Sequence, residues 1–213
     1  MPGDPPRVPR KILVATTNPG KIAELRAMLG ADVEWVGLSE FPGVREIEED
    51  GGTFEENARK KAVGYAQATG LWTLSDDSGL IVDALGGLPG VRSARFAGTA
   101  GPDRRAIDRA NIAKVLHLLR EVPPAKRTAR FVCHLCLASP ERVLIETSGT
   151  LEGRIAERPV GDKGFGYDPI FFVPGLNKTV AQMESEEKNA VSHRGNALRR
   201  LRPLLRQLLE GSD

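Results

Sequence analysis

Two acidic pairs stand out among the residues that could do chemistry in this 213-residue chain. Glu48 and Glu49 lie just before a predicted helix, and Asp76 and Asp77 interrupt an apolar run. Mg²⁺ is usually held by one or two carboxylates together with substrate phosphates and water. Solvated turn acids are the alternative, although an Asp-Asp pair within a strand gains nothing unless a cation faces it. The acids therefore predict a magnesium site suited to phosphoryl transfer.

A polar loop between the first predicted strand and the first predicted helix is the second candidate, Thr16-Thr17-Asn18-Pro19-Gly20-Lys21. Backbone N–H groups at a helix N-terminus bind anions, and a lysine adds a positive charge. The loop lacks the G-x-x-x-x-G-K-[ST] spacing of a Walker loop. It predicts either a phosphate-binding loop or an ordinary capped connection.

Two further groups lie in the second half of the chain. Phe165-Gly166-Tyr167-Asp168 offers ring faces and one acceptor, which suit a stacked base, although core packing explains the aromatics equally well. Lys188 and Ser192-His193-Arg194-Gly195 place donors at the start of the last predicted helix, where a capped, solvated turn is the alternative.

The C-x-x-C formed by Cys133 and Cys136 predicts no redox or zinc site. The surrounding residues Arg130–Ala138 alternate as a strand, so the two thiols point to opposite faces. With no second C-x-x-C in the sequence, buried free cysteines are expected.

The elements that must position these residues alternate between strand and helix. Strands are predicted at Lys11–Ala15, Val33–Leu38, Arg130–Ala138 and Val143–Thr150, with two shorter segments, Leu71–Leu74 and Leu80–Val82, separated by a turn or bulge at Ser75–Gly79. Helices are predicted at Lys21–Leu29, from the capping box Thr53–Glu56 to Gly70, at about Pro102–Arg120, and from near Thr179 and near Ser192. The pattern predicts an α/β fold with two lobes on one sheet.

Composition places the chain among ordinary globular proteins, with 40% apolar and 27% charged residues. A net charge of +2 gives no general basic field, so nucleic acid is not an expected partner. The proline-rich residues 1–9 lack a signal-peptide core and predict a flexible tail before a single domain at 10–213. No apolar run reaches the roughly 20 residues of a membrane helix, so a cytoplasmic protein is expected.

Taken in order, the motifs resemble the inosine triphosphate pyrophosphatase family over nearly the whole chain, from Lys11 to about Leu209. Thr17 stands where that family often has Gly or Ser. The segments that carry the resemblance are Thr16–Lys21, Glu49–Ala58 with Lys61, Ser75–Leu80, Gly86–Gly90, Gly164–Pro169 and Ser192–Gly195.

The resemblance implies an Mg²⁺-dependent enzyme that hydrolyses the non-standard purine nucleotides ITP, dITP and XTP to monophosphate and pyrophosphate. It implies an elongated mixed β-sheet flanked by helices, with a central cleft between two lobes, usually in a homodimer. The implied roles are triphosphate binding by Thr16–Lys21 and Lys61, metal binding by Glu48 or Glu49 and Asp77, general base catalysis by Asp77, substrate contact by Ser78, and a base pocket of Phe165, Gly166, Tyr167, Asp168, Lys188, His193 and Arg194.

Two other classes of function stay open from the sequence. A nucleotide sensor would bind without hydrolysis and would lack a water-activating carboxylate, whereas Asp77 is present. A nucleic-acid binder would use the arginines of the last predicted helix, but leucines lie opposite them, as in an ordinary amphipathic helix.

Overall fold

One mixed sheet organises the computed structural model, which describes residues 10–29, 33–99, 101 and 103–211. Within these residues the sheet has seven strands in the order β2-β1-β3-β4-β5-β6-β7. Strand β1 runs parallel to β2 and β3, and the remaining pairs are antiparallel. The strands are β1 Lys11–Val14, β2 Glu34–Gly37, β3 Trp72–Val82, β4 Thr128–Ala138, β5 Val143–Ile155, β6 Phe171–Val173 and β7 Lys178–Thr179.

Five α-helices flank the sheet in the part of the chain that the structure describes: α1 Pro19–Leu29, α2 Phe54–Thr69, α3 Arg104–Leu118, α4 Ser185–Val191 and α5 His193–Glu210. The α/β prediction with a mixed, helix-flanked sheet is confirmed. The expected tail at 1–9 lies outside the described residues. So does Pro102, where the helix that is α3 in the structure is expected to begin. None of the described helices has the length and apolar character needed to cross a bilayer.

Helix α2 forms where its cap signals predicted it. The Thr53 hydroxyl accepts from the Glu56 N–H at 3.1 Å, the Glu56 carboxylate accepts from the Thr53 N–H at 3.2 Å, and Gly70 ends the helix with φ 73°. The small buried residues Ala58 and Ala62 pack against β4 and bring the helix backbone close to the sheet.

Helix α5 covers the other face of the sheet. The Ser192 hydroxyl caps it by accepting from the Gly195 N–H at 3.0 Å, and Leu198 and Leu201 pack against the strands. Cys133 lies in the core beneath α5, whereas Cys136 lies beneath α2. The two thiols are therefore free, buried and on opposite faces, as predicted.

The apolar core divides toward the two ends of the long strands β3, β4 and β5. One cluster joins Leu74 and Leu135 to α1 and α5, and another joins Val82 and Phe131 to α3 and β6. The polar stretch Ser75–Gly79 lies between these clusters along β3. This division gives two lobes with the cleft between them.

The predicted turn or bulge at Ser75–Gly79 is wrong. Strand β3 runs unbroken from Trp72 to Val82 in continuous register with β4. The buried strand tolerates these polar residues because ion pairs and hydrogen bonds offset the cost of burying them. Asp76, for example, pairs with Lys21 and Arg194.

Other element boundaries differ from the predictions. The capping box of Thr179 and Gln182 is present but opens only a 3₁₀ turn, and α4 begins later, at Ser185. Helix α1 begins at Pro19, before the predicted Lys21, and β5 continues beyond Thr150 to Ile155.

Candidate active site in the central cleft

The sheet opens beside the carboxyl end of β1. Strand β1 pairs with Trp72–Leu74 of β3 and then stops, and the same edge of β3 next bridges Pro89 from Ile81. Between these points the β3 backbone borders the cleft, so the Asp76 carbonyl accepts from the Lys61 ammonium at 2.9 Å and the Lys21 ammonium at 3.4 Å. Ligands commonly bind at such an edge, where parallel strands end and the chain diverges.

The predicted phosphate loop leaves β1 at this opening. The Asn18 N–H donates to the Thr16 hydroxyl at 3.1 Å, and the Lys21 N–H donates to the Asn18 side chain at 3.4 Å. Pro19 and Gly20 begin α1, where proline is favoured because its missing N–H has no helical partner. The arrangement can bind an anion at the N-terminus of α1.

Asp77 lies on the α2 face of β3 and is 5% exposed. Its Oδ1 accepts from the Ser78 N–H at 3.0 Å, while its Oδ2 is buried without a partner among the described residues. Burial raises the pKa of Asp77 to about 6, against the opposing effect of Lys61 and Lys21. A buried carboxylate oxygen without a donor is the group that a bound cation would satisfy.

Glu49 supplies a second carboxylate to this part of the cleft. Its Oε1 lies 2.8 Å from the Lys61 ammonium, and the exposed Glu48 lines the same cleft. No cluster of three or more His, Cys, Asp or Glu side chains among the described residues could hold a metal alone. Asp77 with Glu49 or Glu48 therefore fits a cation that takes further oxygens from phosphates, as Mg²⁺ does.

Asp76 points to the opposite face of β3 and organises the other side of the cleft. Its carboxylate binds the Lys21 ammonium and lies 2.7 Å from Arg194 Nε, and the Ser78 hydroxyl donates to it at 2.9 Å. Burial opposes the charge, but Arg194 and Lys21 outweigh it and hold the pKa of Asp76 well below its usual value. Cys133 adds a thiol 3.3 Å away.

Arg194 and Lys188 are tied together through Glu24 of α1. Arg194 is 1% exposed and binds one Glu24 oxygen, while Lys188 lies 3.0 Å from the other. The Lys188 ammonium also lies 2.8 Å from Asp168, and Arg194 donates to the Ser78 hydroxyl at 2.8 Å. The network brings residues from α1, β3, α4 and α5 into one wall.

The aromatic loop, residues 164–168, closes this wall. Gly164 and Gly166 adopt φ 75° and 62°, and Phe165 presents its ring 4.5 Å from the Lys188 ammonium. Tyr167 is buried, with its hydroxyl donating to the Ser93 carbonyl at 2.8 Å. Phe165 therefore lines the cleft with a half-buried ring on which a base could stack, whereas Tyr167 is buried.

Burial shifts the pKa values of Asp168 and His193 in opposite directions. Burial raises the pKa of Asp168 against the effect of Lys188. Burial and the neighbouring Arg194 hold the pKa of His193 well below its usual value, so the imidazole is neutral. Its ring stacks on Phe131 at 4.9 Å, and its Nδ1 is buried without a partner among the described residues.

The cleft has a volume of about 1250 Å³. Among the sequence-predicted site residues, these line it: Thr16, Thr17, Asn18, Lys21, Glu48, Glu49, Lys61, Asp77, Ser78, Phe165, Gly166, Tyr167, Asp168, Lys188, His193 and Arg194.

Glu24 and Asp108 are contact residues that the sequence did not reveal. Glu24 lies three residues after Lys21, on the same helix face, which was the available signal. Asp108 accepts a hydrogen bond from the Gly166 N–H at 2.8 Å. The two residues are 58 positions apart, so no local sequence pattern predicts this contact.

Known proteins resemble this chain over nearly its full length. A model of the Ham1 family matches residues 12–204. The dITP/XTP pyrophosphatase of Desulforamulus reducens is 47% identical over 199 residues, 93% of this chain and 96% of that protein.

Two solved structures share the fold. The Staphylococcus aureus Ham1 protein superposes with a TM-score of 0.82 at 41% identity, covering 93% of this chain and 99% of that one. The nucleoside-triphosphatase / dITP/XTP pyrophosphatase of Mycobacterium abscessus gives 0.74 at 47% identity, covering 91% and 99%. With the cleft and its motifs in the same chain, these matches establish that the protein belongs to the Ham1 family.

Proposed function

We propose that this chain hydrolyses the non-standard purine nucleotides dITP, ITP and XTP to the monophosphate and pyrophosphate. The observation that carries the proposal is the buried, unpartnered Asp77 oxygen in a cleft that also holds Lys61 and the phosphate loop. The names of the relatives, dITP/XTP pyrophosphatases, support the same activity.

The triphosphate binds across the opening beside β1. Thr16–Asn18 supply hydroxyl and amide donors, Gly20 supplies a backbone N–H in the first turn of α1 next to Pro19, which has none to donate, and Lys21 and Lys61 supply positive charge. The two ammonium groups meet at the Asp76 carbonyl, so both can reach one polyphosphate.

The metal in this account is Mg²⁺, held by Asp77 and by Glu49 or Glu48. When bound, it neutralises charge on the phosphate oxygens and makes water more acidic. Asp77 orients the water, and its carboxylate, whose pKa burial raises to about 6, accepts the proton. The water oxygen bonds to phosphorus, the bond between the α and β phosphates breaks, and pyrophosphate separates from the monophosphate.

The base pocket lies between Phe165 and the wall of Lys188, His193 and Arg194. Phe165 stacks on the purine, and the donors face the 6-oxo group of hypoxanthine or xanthine. The 6-amino group of adenine would leave those donors unmet, at a cost of about 1–3 kcal/mol each. Gly166, Tyr167 and Asp168 shape this side of the pocket.

The proposal extends to the assembly and its setting. We infer a homodimer, a cytoplasmic location and a single domain over residues 10–213, all on the strength of the family resemblance.

Nucleic-acid binding is the weaker alternative because two arginines of α5 are already engaged. Arg199 donates to the Asn189 carbonyl at 2.9 Å and the Ala190 carbonyl at 2.7 Å, and Arg200 donates to the Ser148 carbonyl at 2.8 Å. A nucleotide sensor would use the same cleft. Only a measurement of hydrolysis therefore distinguishes a sensor from an enzyme.

The deciding experiment incubates dITP with Mg²⁺ and resolves pyrophosphate from orthophosphate. We expect pyrophosphate and dIMP, with activity lost on chelation. Asp77→Asn should lower kcat by about a hundredfold or more while dITP still binds, because the amide keeps the shape but cannot accept the proton.

Asp162→Asn is the matched control, since Asp162 is exposed and lies outside the cleft lining. No hydrolysis by the unmutated chain would favour the sensor. Near-normal turnover by Asp77→Asn would remove Asp77 from the mechanism.

A further inference from the structure

We propose that Arg95 binds the outer phosphates of the substrate and the pyrophosphate product, an inference that rests on the proposed function. Arg95 ends the 3₁₀ segment Gly90–Arg95, is exposed, and lines the cleft. It belongs to none of the motifs assigned to the site from the sequence.

The charge balance of the cleft singles out Arg95. Every other cleft-lining lysine or arginine in the described residues has a carboxylate partner. These pairs are Lys21 with Asp76, Lys61 with Glu49, Arg104 with Asp108, Lys188 with Glu24 and Asp168, and Arg194 with Asp76 and Glu24.

Arg95 instead donates one hydrogen bond from Nη2 to the Glu49 carbonyl, at 3.1 Å. Its positive charge is therefore not matched by a carboxylate among the described residues. A triphosphate that shares one divalent cation keeps a net negative charge, which this guanidinium can neutralise. A guanidinium also has five N–H donors in a planar fork that fits two phosphate oxygens.

The position of Arg95 places it near the outer phosphates rather than the base. It contacts Glu49, whose side chain pairs with Lys61 at 2.8 Å and is a candidate metal ligand. A metal held by Glu49 would neutralise phosphate oxygens, so a guanidinium beside Glu49 would face the same phosphates.

The segment that carries Arg95 is fixed to β3 and to Tyr167. The Ser93 hydroxyl accepts from the Leu80 N–H at 2.9 Å and donates to the Gly90 carbonyl at 2.6 Å, and the Ser93 carbonyl accepts from Tyr167. The backbone is thereby held while the exposed side chain stays free to turn from Glu49 toward phosphate.

A purely structural role, in which Arg95 only pins the Glu49 loop, makes a different prediction. Arg95→Gln keeps an N–H donor for the Glu49 carbonyl but removes the charge, Arg95→Lys keeps the charge, and Arg95→Ala removes both. Arg92→Ala is the matched control, because Arg92 is exposed on the same segment and does not line the cleft.

The test measures the KM for dITP and the inhibition constants of Mg-pyrophosphate and dIMP for each variant. Arg95→Ala and Arg95→Gln should raise the KM and the pyrophosphate constant by about tenfold or more, the effect of one charge-assisted hydrogen bond. The dIMP constant should change less than about twofold, Arg95→Lys should retain part of the affinity, and Arg92→Ala should match the unmutated chain. Normal constants for Arg95→Gln, or equal losses for dIMP and pyrophosphate, would overturn the proposal.

Failure of the proposed function gives a separate result. If the unmutated chain does not hydrolyse dITP, calorimetric titration with Mg-pyrophosphate decides the role of Arg95 alone. About tenfold weaker binding to Arg95→Gln supports it, and equal binding, or none to the unmutated chain, contradicts it.

Discussion

Asp77 is the residue on which the proposed chemistry depends, and its burial has a measurable cost in stability. Its pKa in the folded chain, about 6, lies above the ordinary 3.8. The protonated Asp77 carboxyl therefore stabilises the folded state. This stabilisation is complete below the ordinary pKa and is lost as the pH rises through 6. Near neutral pH the ionised carboxylate is ready to accept a proton or a cation, at the expense of stability.

Asp77→Asn should consequently stabilise the metal-free protein, increasingly as the pH rises, because the amide resembles the protonated acid. Between about pH 5 and about pH 7.5 its advantage in free energy of unfolding should grow by about 1.4 kcal/mol. Urea denaturation in a chelator measures this, with Asp162→Asn as the control. An advantage that does not change with pH would contradict the buried state of Asp77.

The types of the site residues could be predicted from the sequence, but their partners could not. Asp77 and Lys61 belong to short motifs whose residue types indicate phosphate and metal chemistry. Glu24 follows Lys21 on the same helix face, but its partners Lys188 and Arg194 lie more than 160 residues away, and that spacing does not reveal them. Arg95 is distinguished by having no carboxylate partner among the described residues. Only the folded structure can show this.

At the level of elements, α5 must approach β5 closely to hold His193 and Arg194 in the cleft wall. Gly149 of β5 makes this possible, since an added Cβ there would lie 2.2 Å from the His193 carbonyl oxygen and 2.6 Å from the Ala197 nitrogen. Both contacts are with backbone, so the helix itself would have to move.

Gly149→Ala should therefore lower the free energy of unfolding by about 2 kcal/mol or more and reduce kcat/KM, because α5 carries Arg194 away from Asp76. Urea denaturation and dITP hydrolysis measure the two effects. Gly175→Ala is the control, with no atom within 4 Å of the added Cβ. If the two variants are equally stable and active, α5 does not depend on this contact.

Local signals predicted the elements well where caps and periodicity were strong, as in α2 with its capping box and Gly70. They failed at β3, where the polar run Ser75–Gly79 suggested a turn. The strand continues because Lys21 and Arg194, distant in sequence, compensate Asp76. Tertiary charge pairing overrides local preference in this strand.

On the scale of the whole molecule, the cleft separates two kinds of recognition. The phosphate loop, Lys61 and Asp77 lie where β1 ends, and Phe165, Lys188 and Arg194 form the wall reached from the other lobe. Asp76 connects the two, since its carboxylate binds both Lys21 and Arg194. In the proposed function the first group binds the phosphates, which all nucleotides share, and the second wall discriminates between bases.

The decisive measurement is kcat/KM for XTP, dITP, ITP and ATP with Mg²⁺, with pyrophosphate and orthophosphate resolved. Two unmet donors facing adenine predict an ITP preference over ATP on the order of a hundredfold or above. We expect XTP, dITP and ITP to release pyrophosphate, with ATP far slower. Equal hydrolysis of ATP and ITP would contradict the selection against adenine, and release of orthophosphate would contradict the proposed pyrophosphatase reaction.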